Sequence, residues 1–196
     1  DPPWKGDDLV ARLSIRERLL LAGLVAIAAG LRLVAAQGDL WLDEIWSLSF
    51  ARTLSAPWET LTAIHHDNNH PLNTLALFVA VKTAGAHAPA TAYSFLPLLT
   101  GVAPIPLLFW TERDRAEAGS HASAWLAALL GATSFLAVVY SSEARGYAPA
   151  AFFALAAFAL VRNGTVESTP SRRIAFAACC VLGLLSHLTF LFPYAG

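Results

Sequence analysis

An adjacent acidic pair, Asp43 and Glu44, lies in segment 41–50, whose apolar residues recur at helical spacing. Neighbouring side chains on a helix point about 100° apart, so only one of these carboxylates can face a given pocket. A positioned carboxylate can accept a proton from a reacting hydroxyl group. The pattern therefore favours one catalytic acid and one supporting acid. The alternative is that both acids lie at a helix N-terminus and complement its dipole.

A second polar cluster, residues 65–70, combines three histidines, one aspartate and two asparagines. These side chains suit a metal ion, a sugar or a phosphate. The order His66, Asp67, His70 resembles a zinc-peptidase motif, which needs both histidines on one helical face. Pro71 disfavours helical angles at His70 and so argues against that interpretation. The cluster is interpreted as a polar turn with one functional histidine, or as a purely structural turn.

A third cluster, residues 141–147, contains Glu143, Arg145 and Tyr147 between two apolar stretches. An arginine beside a membrane suits a phosphate, because its planar guanidinium group matches two phosphate oxygens and stays charged. The alternative is that Arg145 pairs with Glu143 or reaches the lipid headgroups.

The composition shows which elements must position these clusters. The chain is 56% hydrophobic and only 14% charged, with a mean hydropathy of +0.53, unlike a soluble domain. Its net charge of −1 gives no electrostatic footprint for nucleic acid. Several uncharged stretches approach the roughly 20 residues that cross a bilayer. We predict an all-α polytopic membrane helix bundle with a tail at 1–18 and about five spans, at 19–37, 91–110, 122–140, 147–162 and 174–193.

The positive charges predict the orientation of this bundle. With these spans, nine of the 13 Lys and Arg residues fall on one side, three on the other, and Arg32 lies within the first span. The positive-inside rule makes the richer side cytoplasmic, which includes the amphipathic tail 1–18. The loop 38–90 and all three clusters then face outward. The apolar segment 71–81 is too short to cross, and we predict an interfacial helix with Pro71 in its first turn.

Two polar residues lie inside the predicted spans. Arg32 is expected to reach toward the headgroups or to pair with an acid of the first loop, because charges within spans usually have partners. His187 is near the outer end of the last span, where a histidine among apolar residues is more often structural than a ligand. Its depth keeps it a candidate for the outer site.

In the order and spacing of its three clusters, the chain resembles GT-C fold membrane glycosyltransferases. The similar branch contains dolichyl-phosphate-mannose protein mannosyltransferases and the bacterial aminoarabinose transferase of lipid A. The resemblance implies inverting transfer of a sugar from a polyprenyl-phosphate carrier to an acceptor on the non-cytoplasmic face. It also implies the site residues: Asp43 as general base, Glu44 orienting the base or the acceptor, and Asp67, His70, Glu143, Arg145 and Tyr147 around the substrate.

The resemblance also bears on cofactors, partners and location. Some relatives use a divalent metal, so metal dependence stays open, with Asp43, His66 and His70 as the ligands if one binds. The acceptor would be a glycan, a lipid or a protein, and the location a bacterial inner membrane. We expect the chain to be the N-terminal part of a larger protein. One rival is a non-catalytic scaffold subunit among other membrane subunits. Another is a transporter, for which an internal repeat is expected and none is found.

Overall fold

The computed structural model describes residues 13–66, 68–85, 88–113, 121–162 and 169–195. These residues contain helices and no strand, which confirms the predicted all-α class. The first helices are α1 (Ile15–Ala35), α2 (Leu42–Thr53), α3 (Glu59–Thr62), α4 (Pro71–Ala84), α5 (Ala90–Tyr93) and α6 (Phe95–Val102). They are followed by α7 (Pro104–Arg113), α8 (Ala122–Thr133), α9 (Phe135–Ser142), α10 (Tyr147–Arg162), α11 (Pro170–Ser186), a 3-10 turn (Leu188–Phe190) and α12 (Leu191–Ala195).

Two helical segments of the described chain are long and apolar enough to cross a membrane. They are α1, with 21 residues, and the 19-residue segment Phe95–Arg113 that α6 and α7 form together. The pair α8 and α9 would make a third span if its 48° bend is counted as one broken crossing. The helices α4 and α10 are apolar but shorter. The membrane character of the chain is therefore supported, whereas the count of about five spans remains a prediction.

Small residues allow α1, α7 and α8 to pack closely. Ala124, Ala128 and Ala132 recur every four residues along one face of α8 and are fully buried. Ile105 and Phe109 of α7 fill the space against this alanine stripe. This core holds α1, α7 and α8 together by close side-chain packing, which is the main force between helices in a membrane.

The segment 38–90 folds into a second core around α4. Pro71 occupies the first turn of α4, as predicted, since its missing N–H would have had no helical partner there. Leu77 and Phe78 pack against Leu48 of α2. The helix is thus largely buried by protein, and its expected place at the membrane interface remains a prediction.

The predicted span 174–193 is not one continuous helix. The helix α11 ends at Ser186, and His187 adopts extended angles (φ −165°, ψ 138°) before the 3-10 turn. Phe190 then folds back onto Gly183, where a Cβ atom would collide with the phenylalanine ring. Hydropathy gave no sign of this break, because the residues on both sides are equally apolar.

Arg32 was expected to reach the headgroups or to pair with an acid of the first loop, and both expectations are wrong. Arg32 is buried to 1% exposure and reaches neither solvent nor an acid. Its guanidinium donates to the carbonyl oxygens of Gly131 (2.8 Å) and Ala132 (2.9 Å). These carbonyls lie in the last turn of α8, just before the bend at Ser134, where helical partners run out. Arg32 therefore stabilises the broken end of α8.

Candidate functional site

The two adjacent acids of α2 lie in different surroundings. The Asp43 side chain is 49% exposed and lines a cavity. Glu44 is buried, and its carboxylate accepts hydrogen bonds from the backbone N–H groups of Trp41 (2.6 Å) and Ala144. The Trp41 bond stabilises the first turn of α2, while the Ala144 bond ties α2 to a loop 100 residues away. Helical spacing thus leaves Asp43 available to a ligand and commits Glu44 to the backbone.

The loop between α9 and α10 is held at a single peptide unit. The Ala144 N–H donates to Glu44, and the Ala144 carbonyl accepts from the Asn73 side-chain amide at 2.7 Å. Asn73 belongs to α4 and is fully buried. This double contact fixes the position of the next residue, Arg145.

Arg145 is directed at Asp43. Its Nη2 atom lies 2.9 Å from Asp43 Oδ2, whereas its Nη1 atom is 3.8 Å from Glu143 Oε2. The guanidinium also lies over the Tyr147 ring, 4.7 Å from the centroid, and donates to the Tyr147 hydroxyl at 3.2 Å. The closest ionic partner of Arg145 is therefore Asp43, not Glu143.

His70 forms the inner wall of the same cavity. It precedes α4 with non-helical angles (φ −108°, ψ 90°) and is only 7% exposed. Burial, helped by the nearby His187 and Arg145, lowers the pKa of His70 to about 4, so the imidazole is neutral at pH 7. Its Nε2 atom has no hydrogen-bond partner among the described residues. A ligand in the cavity could supply that partner.

His187 joins the site because α11 stops before it. Its ring stacks between His70 (4.4 Å between centroids) and Tyr147 (4.3 Å). Its Nδ1 atom accepts the Thr189 N–H at 3.1 Å, so a neutral His187 carries its proton on Nε2. Gly146 permits this approach, because a Cβ atom there would collide with the Ser186 carbonyl oxygen. The glycine after Arg145 was a sequence sign that another segment approaches the backbone closely there. The sequence did not show that this segment is the end of α11.

The remaining wall comes from α2 and the turn before α4. His66 lies against Trp46 and Phe50, with ring centroids 5.2 Å apart in both pairs. Asn68 donates to the Asp43 carbonyl at 2.9 Å and so ties the turn to the start of α2. Asp67, predicted to bind substrate, lies outside the described residues.

These residues line an open cavity of about 420 Å³, a volume within the range of small-molecule sites. Its lining consists of Leu42, Asp43, Trp46, His66, Asn68, His70, Arg145, Tyr147 and His187. Glu143 and Glu44 instead line a neighbouring cavity of about 200 Å³. Burial raises the pKa of Glu143 above its ordinary value, with Arg145 opposing the shift. Of the predicted site residues that are described, five share the larger cavity: Asp43, His66, His70, Arg145 and Tyr147.

The described residues do not assemble a metal site. No group of three or more His, Cys, Asp or Glu side chains within the described ranges is placed to hold an ion. Asp43, His66 and His70 all line the cavity. However, the Asp43 carboxylate is paired with Arg145, and His66 Nδ1 accepts the Asn68 N–H at 3.0 Å. The three side chains therefore do not fit a common ion in this arrangement.

No known protein family, curated protein or solved structure matches this chain. The cavity residues themselves indicate what chemistry the site can perform. A half-exposed carboxylate can accept a proton, and an arginine can bind an anionic group. A neutral histidine with a free nitrogen can add a hydrogen bond to the same ligand.

Proposed function

We propose that the chain belongs to a membrane glycosyltransferase that moves a sugar from a polyprenyl-phosphate carrier to an acceptor on the non-cytoplasmic face. One observation carries this proposal. The half-exposed Asp43 carboxylate and the Arg145 guanidinium share a cavity of about 420 Å³ with a neutral His70 whose Nε2 atom has no hydrogen-bond partner among the described residues. That set combines a base for an acceptor hydroxyl with a cation for a leaving phosphate.

The expected topology places this cavity at the membrane surface. Two segments that can span a bilayer support a membrane location. In the proposed topology of about five spans, the positive-inside rule puts α2, the turn before α4 and the loop 143–146 on the outer side. A lipid-linked donor could then enter laterally from the bilayer, and the acceptor would enter from the aqueous side.

The proposed step is a single displacement at the anomeric carbon. Asp43 takes the proton of the acceptor hydroxyl as its oxygen forms a bond to that carbon. The bond from the anomeric carbon to the phosphate oxygen breaks, and its electron pair leaves with the polyprenyl phosphate. Arg145 stabilises the charge that develops on the departing phosphate. Attack from the face opposite the leaving group inverts the anomeric configuration.

The other cavity residues have supporting roles in this proposal. His70 offers its free Nε2 to the donor, and Tyr147 supports the guanidinium of Arg145 through its ring and hydroxyl. Glu44 acts as a positioning residue because it holds the Ala144 peptide unit. The acceptor is a hydroxyl group of a glycan, a lipid or a protein.

A transfer assay tests the proposal directly. The full-length protein is reconstituted in liposomes and supplied with a panel of labelled polyprenyl-phosphate sugars and candidate acceptors. We expect time-dependent consumption of at least one donor and a product of inverted anomeric configuration. Binding of donors without consumption of any of them would contradict transferase activity and favour the scaffold alternative.

A further inference from the structure

The ion pair between Asp43 and Arg145 engages both groups that the proposed function requires. Asp43 Oδ2 lies 2.9 Å from Arg145 Nη2. While the pair is formed, the guanidinium occupies the Asp43 oxygen that would otherwise be open to an acceptor hydroxyl. Proton transfer to Asp43 therefore requires that the ion pair with Arg145 separates first.

Arg145 is held in place without help from Asp43. The guanidinium rests on the Tyr147 ring and donates to the Tyr147 hydroxyl. The backbone on its N-terminal side is fixed by the contacts of Ala144 to Glu44 and Asn73. If Asp43 moves away, the arginine stays at the cavity wall with donors free. The more exposed partner, Asp43, is the one able to turn out toward solvent.

The chemistry around Arg145 suits one phosphate group in place of the Asp43 carboxylate. The guanidinium fork matches two phosphate oxygens. On the α4 and α11 sides the arriving anion meets neutral His70, whose Nε2 is unpartnered, and His187. Two other acids are near. Glu143 Oε2 lies 3.8 Å from Nη1, and the Glu44 carboxylate is compensated by two backbone N–H groups. Removal of Asp43 from the guanidinium is therefore the main change that binding requires.

We propose that the phosphate ester of the bound ligand displaces Asp43 from Arg145 and thereby releases Asp43 to act as the base. This inference rests on the proposed function. It implies that the donor binds before the acceptor is deprotonated, so Asp43 is restrained until a phosphate is present.

Equilibrium binding measures this competition without any transfer reaction. The full-length protein in lipid nanodiscs is titrated with polyprenyl phosphate, and separately with inorganic phosphate. Removal of the competing carboxylate in Asp43→Asn should tighten binding about fivefold, as expected for a partly exposed ion pair. Arg145→Gln should weaken binding about tenfold or more. In the double variant, Asp43→Asn should not tighten phosphate binding, because the guanidinium for which the Asp43 carboxylate competes is absent.

A matched control separates competition from general charge. Asp39→Asn removes the same charge from an exposed position in the preceding loop, beside the smaller cavity. It should change binding less than twofold. Asp43→Ser replaces Asp43→Asn if the latter does not fold. The inference is overturned if loss of Asp43 leaves binding unchanged or weaker, or if Asp39→Asn tightens binding equally.

The two ligands and the transfer assay distinguish the remaining outcomes. The expected pattern with polyprenyl phosphate alone assigns the site to a lipid phosphate, and the same pattern with inorganic phosphate shows that the phosphate group suffices. The expected binding pattern without any sugar transfer contradicts only the proposed function. Transfer that depends on Asp43 without the binding pattern contradicts only the displacement.

Discussion

At the scale of single residues, His70 determines which interactions the cavity can offer. Its imidazole is buried between His187 and the loop that carries Arg145, and an added proton there would lie close to a guanidinium. The neutral ring can either donate or accept one hydrogen bond through its free Nε2. A sugar hydroxyl suits both possibilities.

The lowered pKa of His70 predicts a specific loss of stability in acid. The pKa of His70 is 6.5 in the unfolded chain and about 4 in the folded protein, so between these pH values only the unfolded chain binds the proton. Stability should therefore be full above pH 6.5 and fall toward pH 4, with a slope of at most about 1.4 kcal/mol per pH unit from this residue. Thermal unfolding midpoints in detergent between pH 4 and 8 measure it. Asp43 raises this pKa, while His187 and Arg145 lower it further.

The variant His70→Gln should reduce the fall in thermal unfolding midpoint between pH 6.5 and pH 4, because glutamine does not titrate. The exposed His65 provides the matched control, and His65→Gln should retain the wild-type pH dependence. If His70→Gln loses stability in acid as the wild type does, other groups cause that loss.

Glu44 is predicted to contribute more to folding stability than an acid that caps an exposed turn. Glu44→Ala removes the acceptor of two backbone N–H groups and leaves that of Ala144 buried without a partner. We expect a loss of about 3 kcal/mol in unfolding free energy, measured by denaturant titration. Glu59→Ala is the control, because Glu59 accepts the Ser55 N–H at 2.7 Å on an exposed turn. Its cost should stay below about 1 kcal/mol. Equal costs would contradict the anchoring role of Glu44.

Residue types allowed prediction of the chemistry of the site but not all of its contacts. The carboxylate of Asp43 and the guanidinium of Arg145 were identifiable because few charges occur in so apolar a chain. The bond from Glu44 to Ala144 was not, since it joins residues 100 positions apart through a backbone group that has no sequence signature. His187 was undervalued because its entry into the cavity depends on where α11 ends.

At the scale of elements, broken helices place polar groups at the ends of apolar segments. The bend between α8 and α9 precedes the loop of Arg145, and the stop in α11 brings His187 beside Tyr147. Apolar runs predicted the approximate extents of these segments. They did not predict the breaks, because hydropathy averages over residues and does not sense the fit of Phe190 on Gly183 or of Arg32 on α8.

The bend between α8 and α9 should depend on Arg32. Arg32→Leu leaves the Gly131 and Ala132 carbonyls without their buried donor, and we expect a loss of about 3 kcal/mol in unfolding free energy. Arg18→Leu is the control, since Arg18 donates to the Leu13 carbonyl at the less buried start of α1. Thermal and denaturant unfolding should separate the two variants. Similar stability of both would mean that the bend does not need Arg32.

At the scale of the whole molecule, the fold brings distant clusters to one place. The cavity joins α2, the turn before α4, the loop 143–146 and the end of α11. The sequence predicted that the first three of these regions face the same side and that His187 lies near it, because charge counting orders loops across a membrane. It could not predict their contact, which depends on packing of α2, α4, α10 and α11.

Cysteine labelling tests the predicted orientation. With Cys179 and Cys180 replaced by alanine, single cysteines are introduced at the exposed positions Asp39 and Ser171. A membrane-impermeant maleimide should label Asp39→Cys in intact cells and Ser171→Cys only after permeabilisation, because the two lie on opposite faces in the predicted topology. Labelling of both from the same side would contradict that topology.

The central claim is that Asp43 accepts the proton of the acceptor during sugar transfer in this cavity. The most direct measurement compares turnover of a polyprenyl-phosphate sugar by full-length wild type, Asp43→Asn and Asp39→Asn in liposomes. Loss of a general base predicts a decrease of about 100- to 10,000-fold for Asp43→Asn, with donor binding no weaker than that of the wild type and Asp39→Asn close to wild type in turnover. Turnover by Asp43→Asn equal to that of the wild type would contradict the claim.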